Sequence, residues 1–236
     1  MRKSGANSLH RGPALTRRFV IAGALTPLLA RCSSDPNSDT AGLTRVLGQS
    51  LDIFSGGTSV SLKDVKSTPF ASIGVRIGSG AQTMLLLATE TGQSTVWTSA
   101  LHVAVEIRSG RILRTAGLTQ NLSGTTFSGS DPLDAGLQKL RAPADVKRSL
   151  DFSDLNTYGI AVSSTIEPAG MAAVDILGTA ITCVHAVEHC ACPALNWNYT
   201  NEYWASAHSG VVWRSVQSIH PNFDPVEIEL LRPSQA

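Results

Sequence analysis

From about residue 70 onward the chain alternates apolar and polar positions with a period of two, the repeat of a half-buried strand. Ala71, Ile73, Val75 and Ile77 alternate with Ser72, Gly74 and Arg76. Gly78-Ser79-Gly80 then turns the chain into an apolar run at 84–88. Val103, Val105 and Ile107 share one face, Ser109-Gly110 has the composition of a two-residue hairpin turn, and Arg111 to Thr115 return beside them. Further strands are expected over residues 158–166, 173–184, 199–205, 211–219 and 226–231. Helical spacing occurs in two places. Leu43, Val46, Leu47, Leu51 and Phe54 form one face between a cap at Asp39 or Thr40 and a stop at Gly56-Gly57. Asp131-Pro132 opens a short helix carrying Leu133, Leu137 and Leu140. The Ser, Thr and Gly between residues 117 and 130 read as loop.

The expected fold is therefore mainly β: an antiparallel, barrel-like or rolled sheet fronted by a short N-terminal helix. A candidate internal duplication accompanies it, because Ser109-Gly110-Arg111-Ile112-Leu113-Arg114-Thr115 has a counterpart in Ser209-Gly210-Val211-Val212-Trp213-Arg214-Ser215. If the repeat is real, the body is two similar antiparallel sheets.

Ahead of this body, Arg17 and Arg18 precede an apolar run at 19–30 that stops at Cys32. The run suits the core of a signal peptide and is too short to span a bilayer. Leu29-Ala30-Arg31-Cys32 resembles the lipobox of bacterial lipoproteins, with Arg31 in place of the usual small residue, and so predicts lipidation at Cys32. The polar stretch from Ser33 to Asp39 has the composition of a tether. The expected organisation is a signal peptide at 1–31, a tether at 32–40 and a single mainly-β domain at 41–236.

Removing the signal leaves about 200 residues, enough for one packed core. Charged residues make up 16% of the chain and nearly cancel at net +1, which gives no basic face for nucleic acid.

The densest reactive cluster runs through Cys183, His185, Glu188, His189, Cys190 and Cys192. In an exported chain these cysteines predict a disulfide from Cys183 to Cys190 or Cys192. The alternative is zinc held by Cys183, His185, His189 and Cys190 or Cys192, although the spacing matches no common zinc motif. No Gly-x-Ser-x-Gly elbow or phosphate-binding glycine loop is present, and His102, His208 and His220 are scattered in sequence. No catalytic residue, metal site or cofactor is assigned. Trp197, Tyr199, Tyr203, Trp204 and Trp213 crowd one window, where strand alternation sends about half of the rings into the core. Trp204 and Trp213 are candidate glycan contacts, since an aromatic face stacks on a sugar ring.

Phe70 to Gly78, Trp97-Thr98-Ser99-Ala100, Gly110 to Leu118 and Asp131-Pro132-Leu133 resemble successive segments of the YjbF/GfcB family of bacterial envelope lipoproteins. Asn201-Glu202-Tyr203-Trp204, Gly210 to Gln217, Pro221 and Glu229-Leu230-Leu231-Arg232-Pro233 continue the resemblance, so that it spans residues 42–233. Ala205-Ser206-Ala207-His208 departs from the family in lacking an acidic residue after the Tyr-Trp pair. The resemblance implies a mainly-β lipoprotein encoded among exopolysaccharide or group 4 capsule functions, assisting polymer assembly or export without established catalytic residues. The expected protein is thus a non-enzymatic accessory anchored by lipid, facing the periplasm from the outer membrane. Its expected partners are the exopolysaccharide and proteins of the export machinery. The alternatives are a periplasmic metal protein or enzyme built on the cluster from Cys183 to Cys192, and a glycan-binding module.

Overall fold

The computed structural model describes residues 59–234, so Cys32, the signal segment, the tether and the helix expected around residues 43–54 lie outside the described residues. The body opens with helix α1 (Leu62–Ser67), whose Ser61 and Asp64 form a reciprocal capping box. Five strands follow: β1 (Ser72–Ile77), β2 (Thr83–Thr91), β3 (Ser94–Thr98), β4 (Ala104–Arg108) and β5 (Arg111–Ala116). After β6 (Gly124–Phe127) come a one-turn helix, α2 (Pro132–Ala135), and a 3-10 turn, Leu137–Lys139. The rest is β7 (Ala144–Phe152), β8 (Thr157–Ile176), β9 (Thr179–Cys192), β10 (Trp197–Ser206), β11 (Val212–Gln217) and β12 (Val226–Arg232).

All twelve strands join one antiparallel sheet in the order β5-β4-β3-β2-β1-β12-β11-β10-β9-β8-β7-β6. Every neighbouring pair is consecutive in sequence except β1 and β12, which bring the two ends of the body together at the middle of the sheet. The outermost strands, β5 and β6, are also consecutive. If they paired, the cycle would be a complete up-and-down barrel, and closure removes the exposed edges that invite aggregation. The closure is nearly made: Thr115 N–H donates to the Leu122 carbonyl at 2.8 Å across this seam. A barrel-shaped, mainly antiparallel sheet with a short helix ahead of it agrees with the sequence pattern. The two Ser-Gly segments are both hairpin turns, β4 to β5 and β10 to β11, but they belong to one continuous sheet and not to two similar ones.

Side-chain alternation divides the core. Ile73, Leu85, Trp97, Val105, Phe152 and Val226 belong to the main interior cluster. Val65, Met84, Leu86, Val174, Ile176 and Cys183 form a second cluster, with residues of opposite parity on β2 and with α1 covering them. The strand β1 is consequently buried on both sides. Gly74 is required there because the Gln82 side chain lies over it, and a Cβ would come within 2.6 Å of the Gln82 amide. That amide accepts from Val60 N–H and donates to Glu229 at 2.6 Å, tying the start of the body to β12.

Three expected boundaries change. The strand expected over residues 173–184 is the end of β8, a turn at Leu177-Gly178 and the start of β9. Both turn residues have positive φ, 54° and 83°, and Asp175 accepts from Gly178 N–H at 2.9 Å. The strand expected to stop at Ile166 runs on through a bulge between Pro168 and Gly170. Within the presumed loop and beyond it, β6 and β7 are paired strands.

Candidate functional site

The seam between β5 and β6 is filled by polar side chains. Arg111 begins β5 and is 2% exposed, yet it uses its whole guanidinium. Its Nε donates to Asp131 Oδ2 at 2.6 Å and its Nη2 to Asp131 Oδ1 at 3.1 Å, the two-pronged geometry that suits Arg to a carboxylate. Its Nη1 donates to Glu188 Oε2 at 2.7 Å and to the Tyr203 hydroxyl at 3.0 Å. From β7, Arg148 Nη1 donates to Glu188 Oε1 at 2.8 Å and to Ser164 Oγ at 2.9 Å, while its Nη2 reaches Tyr199 and the Cys190 sulfur. Glu188 on β9 is fully buried, and it further accepts from Ser164 at 2.6 Å, Asn201 at 3.0 Å and Tyr203 at 3.2 Å.

Two guanidinium groups therefore face two carboxylates, and this cluster carries no net charge. Burial alone would raise the Glu188 pKa, but the charges of Arg111 and Arg148 outweigh it and hold the carboxyl below the usual range. Burial drives the Tyr203 hydroxyl well above its ordinary value and pushes the Cys190 thiol up to about 11, with Glu188 adding to the latter. A group with five donors on its two oxygens has no lone pair directed at a substrate, and a thiol this weakly acidic is a poor nucleophile. The cluster's chemistry is that of a lock. Gln217 completes it: its Oε1 accepts from Ile112 N–H at 3.0 Å and its Nε2 donates to the Gly110 carbonyl at 2.8 Å, so one amide satisfies backbone groups at the start of β5 and in the turn before it.

The lock also sets a neighbouring concave surface. Asp131, held by Arg111, caps α2 by accepting from Leu133 N–H at 3.2 Å. The segment it fixes, Leu133 to Lys139, is one wall of a cleft of about 470 Å³. Ile73, Trp97, Ile107 and Leu230 contribute its apolar floor. The Ser109-Gly110 and Ser209-Gly210 turns meet at its mouth. A Cβ on Gly110 would strike Val212 at 2.5 Å, and one on Gly210 would strike the Gln138 amide at 2.3 Å. The resemblance between the two segments thus corresponds to two similar turns converging on one cleft.

The residues singled out in the sequence are distributed differently from expectation. Cys183, Cys190 and Cys192 are buried free thiols, and the expected bridge from Cys183 is not formed. All three lie on β9, where Cys183 packs in the second core cluster and the other two in the main one. Seven residues of strand span about 23 Å, whereas a disulfide needs Cα atoms within about 7 Å. The same alternation disperses the zinc alternative: His189 is exposed beside Glu167 at 3.5 Å, His185 bonds Glu202 at 2.9 Å, and Cys190 points inward. Among the described residues no three His, Cys, Asp or Glu side chains gather as a metal site. Trp204 stacks on His185 with centroids 4.7 Å apart and planes 4° apart, while Arg214 lies 5.2 Å from its ring. His185 and Arg214 sit opposite Trp204 on the two flanking strands, so its faces are taken. Trp213 packs against the second core cluster.

Arg111, Arg148, Glu188 and Tyr203 were not legible as a set. The available signal was a charge at an inward position of an otherwise apolar alternation: Arg148 between Val146 and Leu150, and Glu188 between Ala186 and Cys190.

Comparison with known proteins supplies the relationship. A family model described as group 4 capsule polysaccharide lipoprotein gfcB, YjbF, matches residues 49–231. The uncharacterized lipoprotein GfcB of Escherichia coli (strain K12) is 25% identical over 218 residues, covering 92% of this chain and 99% of that protein. The crystal structure of the hypothetical lipoprotein YmcC from Escherichia coli (K12) superposes with a TM-score of 0.65 at 23% identity, over 83% of this chain and 97% of that one. With the family match running through most of the body, the chain belongs to the YjbF family of group 4 capsule polysaccharide lipoproteins.

Proposed function

We propose that this protein is a non-enzymatic accessory of exopolysaccharide or capsule assembly and export, held at the outer membrane through lipid on Cys32 and facing the periplasm. The family match over residues 49–231 is the observation that carries the reading. The signal segment at 1–31 delivers the chain, the tether at 32–40 separates anchor from body, and the body works by binding. Its most densely connected polar groups support that role, because the carboxylate of Glu188 and the thiol of Cys190 are engaged within the interior. An acyl anchor contributes about 0.8 kcal/mol per buried methylene, so two or more chains retain the protein at the membrane.

The test is deletion of the gene followed by complementation. Surface polysaccharide falls in the deletion strain and returns with the unaltered gene. The Cys32→Ser chain moves to the soluble fraction, folds normally and restores less polymer. Unchanged surface polysaccharide in the deletion strain would remove the accessory role, and an unaltered protein without lipid in the soluble fraction would remove the anchor.

A further inference from the structure

We propose that the cleft between the Ser109-Gly110 and Ser209-Gly210 turns is a binding site for an uncharged stretch of saccharide. This deepens the accessory reading and rests on it for the choice of ligand. At about 470 Å³ the cleft falls within the usual range for small-molecule sites. Its floor offers apolar area for the C–H face of a sugar ring, from Ile73, Trp97, Ile107 and Leu230. Its walls offer neutral hydrogen-bonding groups for hydroxyls, from Gln93, Thr95, Ser109, Gln138 and Ser209.

Two observations give the ligand its class. The first is Gln138, whose Oε1 is buried and has no hydrogen-bond partner within the protein, pressed between Gly136 and Gly210 where any side chain would collide with it. A buried amide oxygen left without a donor is costly, and a turn of the Gln138 side chain at the cleft wall would bring it to a ligand hydroxyl. The second is charge. Three charged residues line the cleft: Asp134 is paired with Arg108 at 3.3 Å and Arg214 with Glu227 at 2.6 Å, while Lys139 is exposed at its edge and carries no ion pair among the described residues. A ligand charge placed beside Asp134 or Arg214 would have to compete with these pairs, whereas hydroxyls use the neutral amide and hydroxyl groups of the wall. The aromatic faces of Trp204 are occupied by His185 and Arg214, whereas this cleft combines apolar area with hydrogen-bonding groups.

The experiment is isothermal calorimetry on the exported protein purified in detergent. The probe is a short oligosaccharide fraction cut by mild acid from the host's own surface polysaccharide. Saturable heat is expected. Gln138→Ala weakens the affinity about fivefold or more, the worth of one or two hydrogen bonds. Val211→Trp, an exposed position at the mouth, blocks the cleft and abolishes binding without touching the core. No heat with the unaltered protein, or heat that neither variant changes, overturns the proposal. A silent titration alongside lost surface polymer in the deletion strain discards the cleft and keeps the accessory role. Binding that both variants impair, in a strain whose export does not need the protein, keeps the cleft and discards the role.

Discussion

Replacing Glu188 with glutamine preserves shape and removes one charge from the centre of the buried network. Glu188 receives five donors at 2.6–3.2 Å: Arg148 and Ser164 on one oxygen, Arg111, Asn201 and Tyr203 on the other. A glutamine must present an NH2 to one of those two sets. Ser164 or Tyr203 can rotate a hydroxyl to adapt, but a guanidinium has only donors, so either orientation sets an Arg donor against an amide donor. Asp131 is then the one carboxylate left for two buried guanidinium groups. Breaking a buried ion pair from one side costs about 3–5 kcal/mol, against a total stability of about 5–15 kcal/mol for a domain. Urea unfolding followed by circular dichroism reads this directly. At a slope of about 2 kcal/mol per molar, the midpoint falls by roughly 1.5–2.5 M with the slope unchanged. Arg114→Met is the reference, because its pair with Glu106 at 2.9 Å involves an Arg side chain that is 62% exposed, and it costs under about 1 kcal/mol. If Glu188→Gln costs no more than Arg114→Met, the network is not the lock of the seam and the reasoning fails.

Acid should act through the same carboxylate. Glu188 has a lowered folded pKa, so the unfolded chain takes up its proton first; the stability it contributes is full above about pH 4.5 and is lost as pH falls toward the folded value. Urea midpoints measured from pH 6 to pH 3 should fall steeply for the unaltered protein and less steeply for Glu188→Gln, and parallel curves would contradict this. His220 gives a second window: burial lowers its pKa, opposed by Asp154 at 3.1 Å, and Asn222 N–H donates into its Nδ1 at 3.1 Å, fixing the neutral ring. Stability linked to it should decline as pH falls below about 6.5, and an NMR titration should find the His220 ring losing its proton at a lower pH in the folded protein than in the unfolded chain; the reverse order would refute the assignment. Alkylation of the native protein should spare Cys183, Cys190 and Cys192, and unfolding without reductant should expose all three; a disulfide-linked peptide would contradict the strand placement. Gly110→Ala should cost about 1–3 kcal/mol in the same urea assay, since φ is +90° and the new methyl meets Val212, and an unchanged midpoint would show that the turn is not constrained.

The architecture was legible where the period-two pattern is clean. Residues 71–77 and 103–115 gave β1, β4 and β5 almost as they stand, because apolar side chains face the core on one parity and the turns carry glycine. Legibility ended where the interior is polar. The strand β7 went unrecognised because its inward set is Val146, Arg148, Leu150 and Phe152, and a charge in that row erases the amphipathic signal. The turn at Leu177-Gly178 was hidden by an apolar residue at a positive φ, a conformation that polar residues and glycine usually fill. Arg111 and Asp131, 20 residues apart, and Arg111 and Glu188, 77 apart, meet only because the sheet curls until its first and last strands approach. The cysteine cluster misled for a related reason. Nearness in sequence implied a shared site, whereas strand alternation sends adjacent residues to opposite faces.

The central claim is that this chain serves polymer assembly or export without performing chemistry on the polymer. The most direct measurement compares surface polysaccharide from the parent and deletion strains by amount and by NMR linkage analysis of the repeat unit. The account predicts less polymer at the surface, with the same sugars, linkages and substituents in what remains. Normal amounts of a polymer with altered linkages or missing substituents would contradict it and make the protein an enzyme.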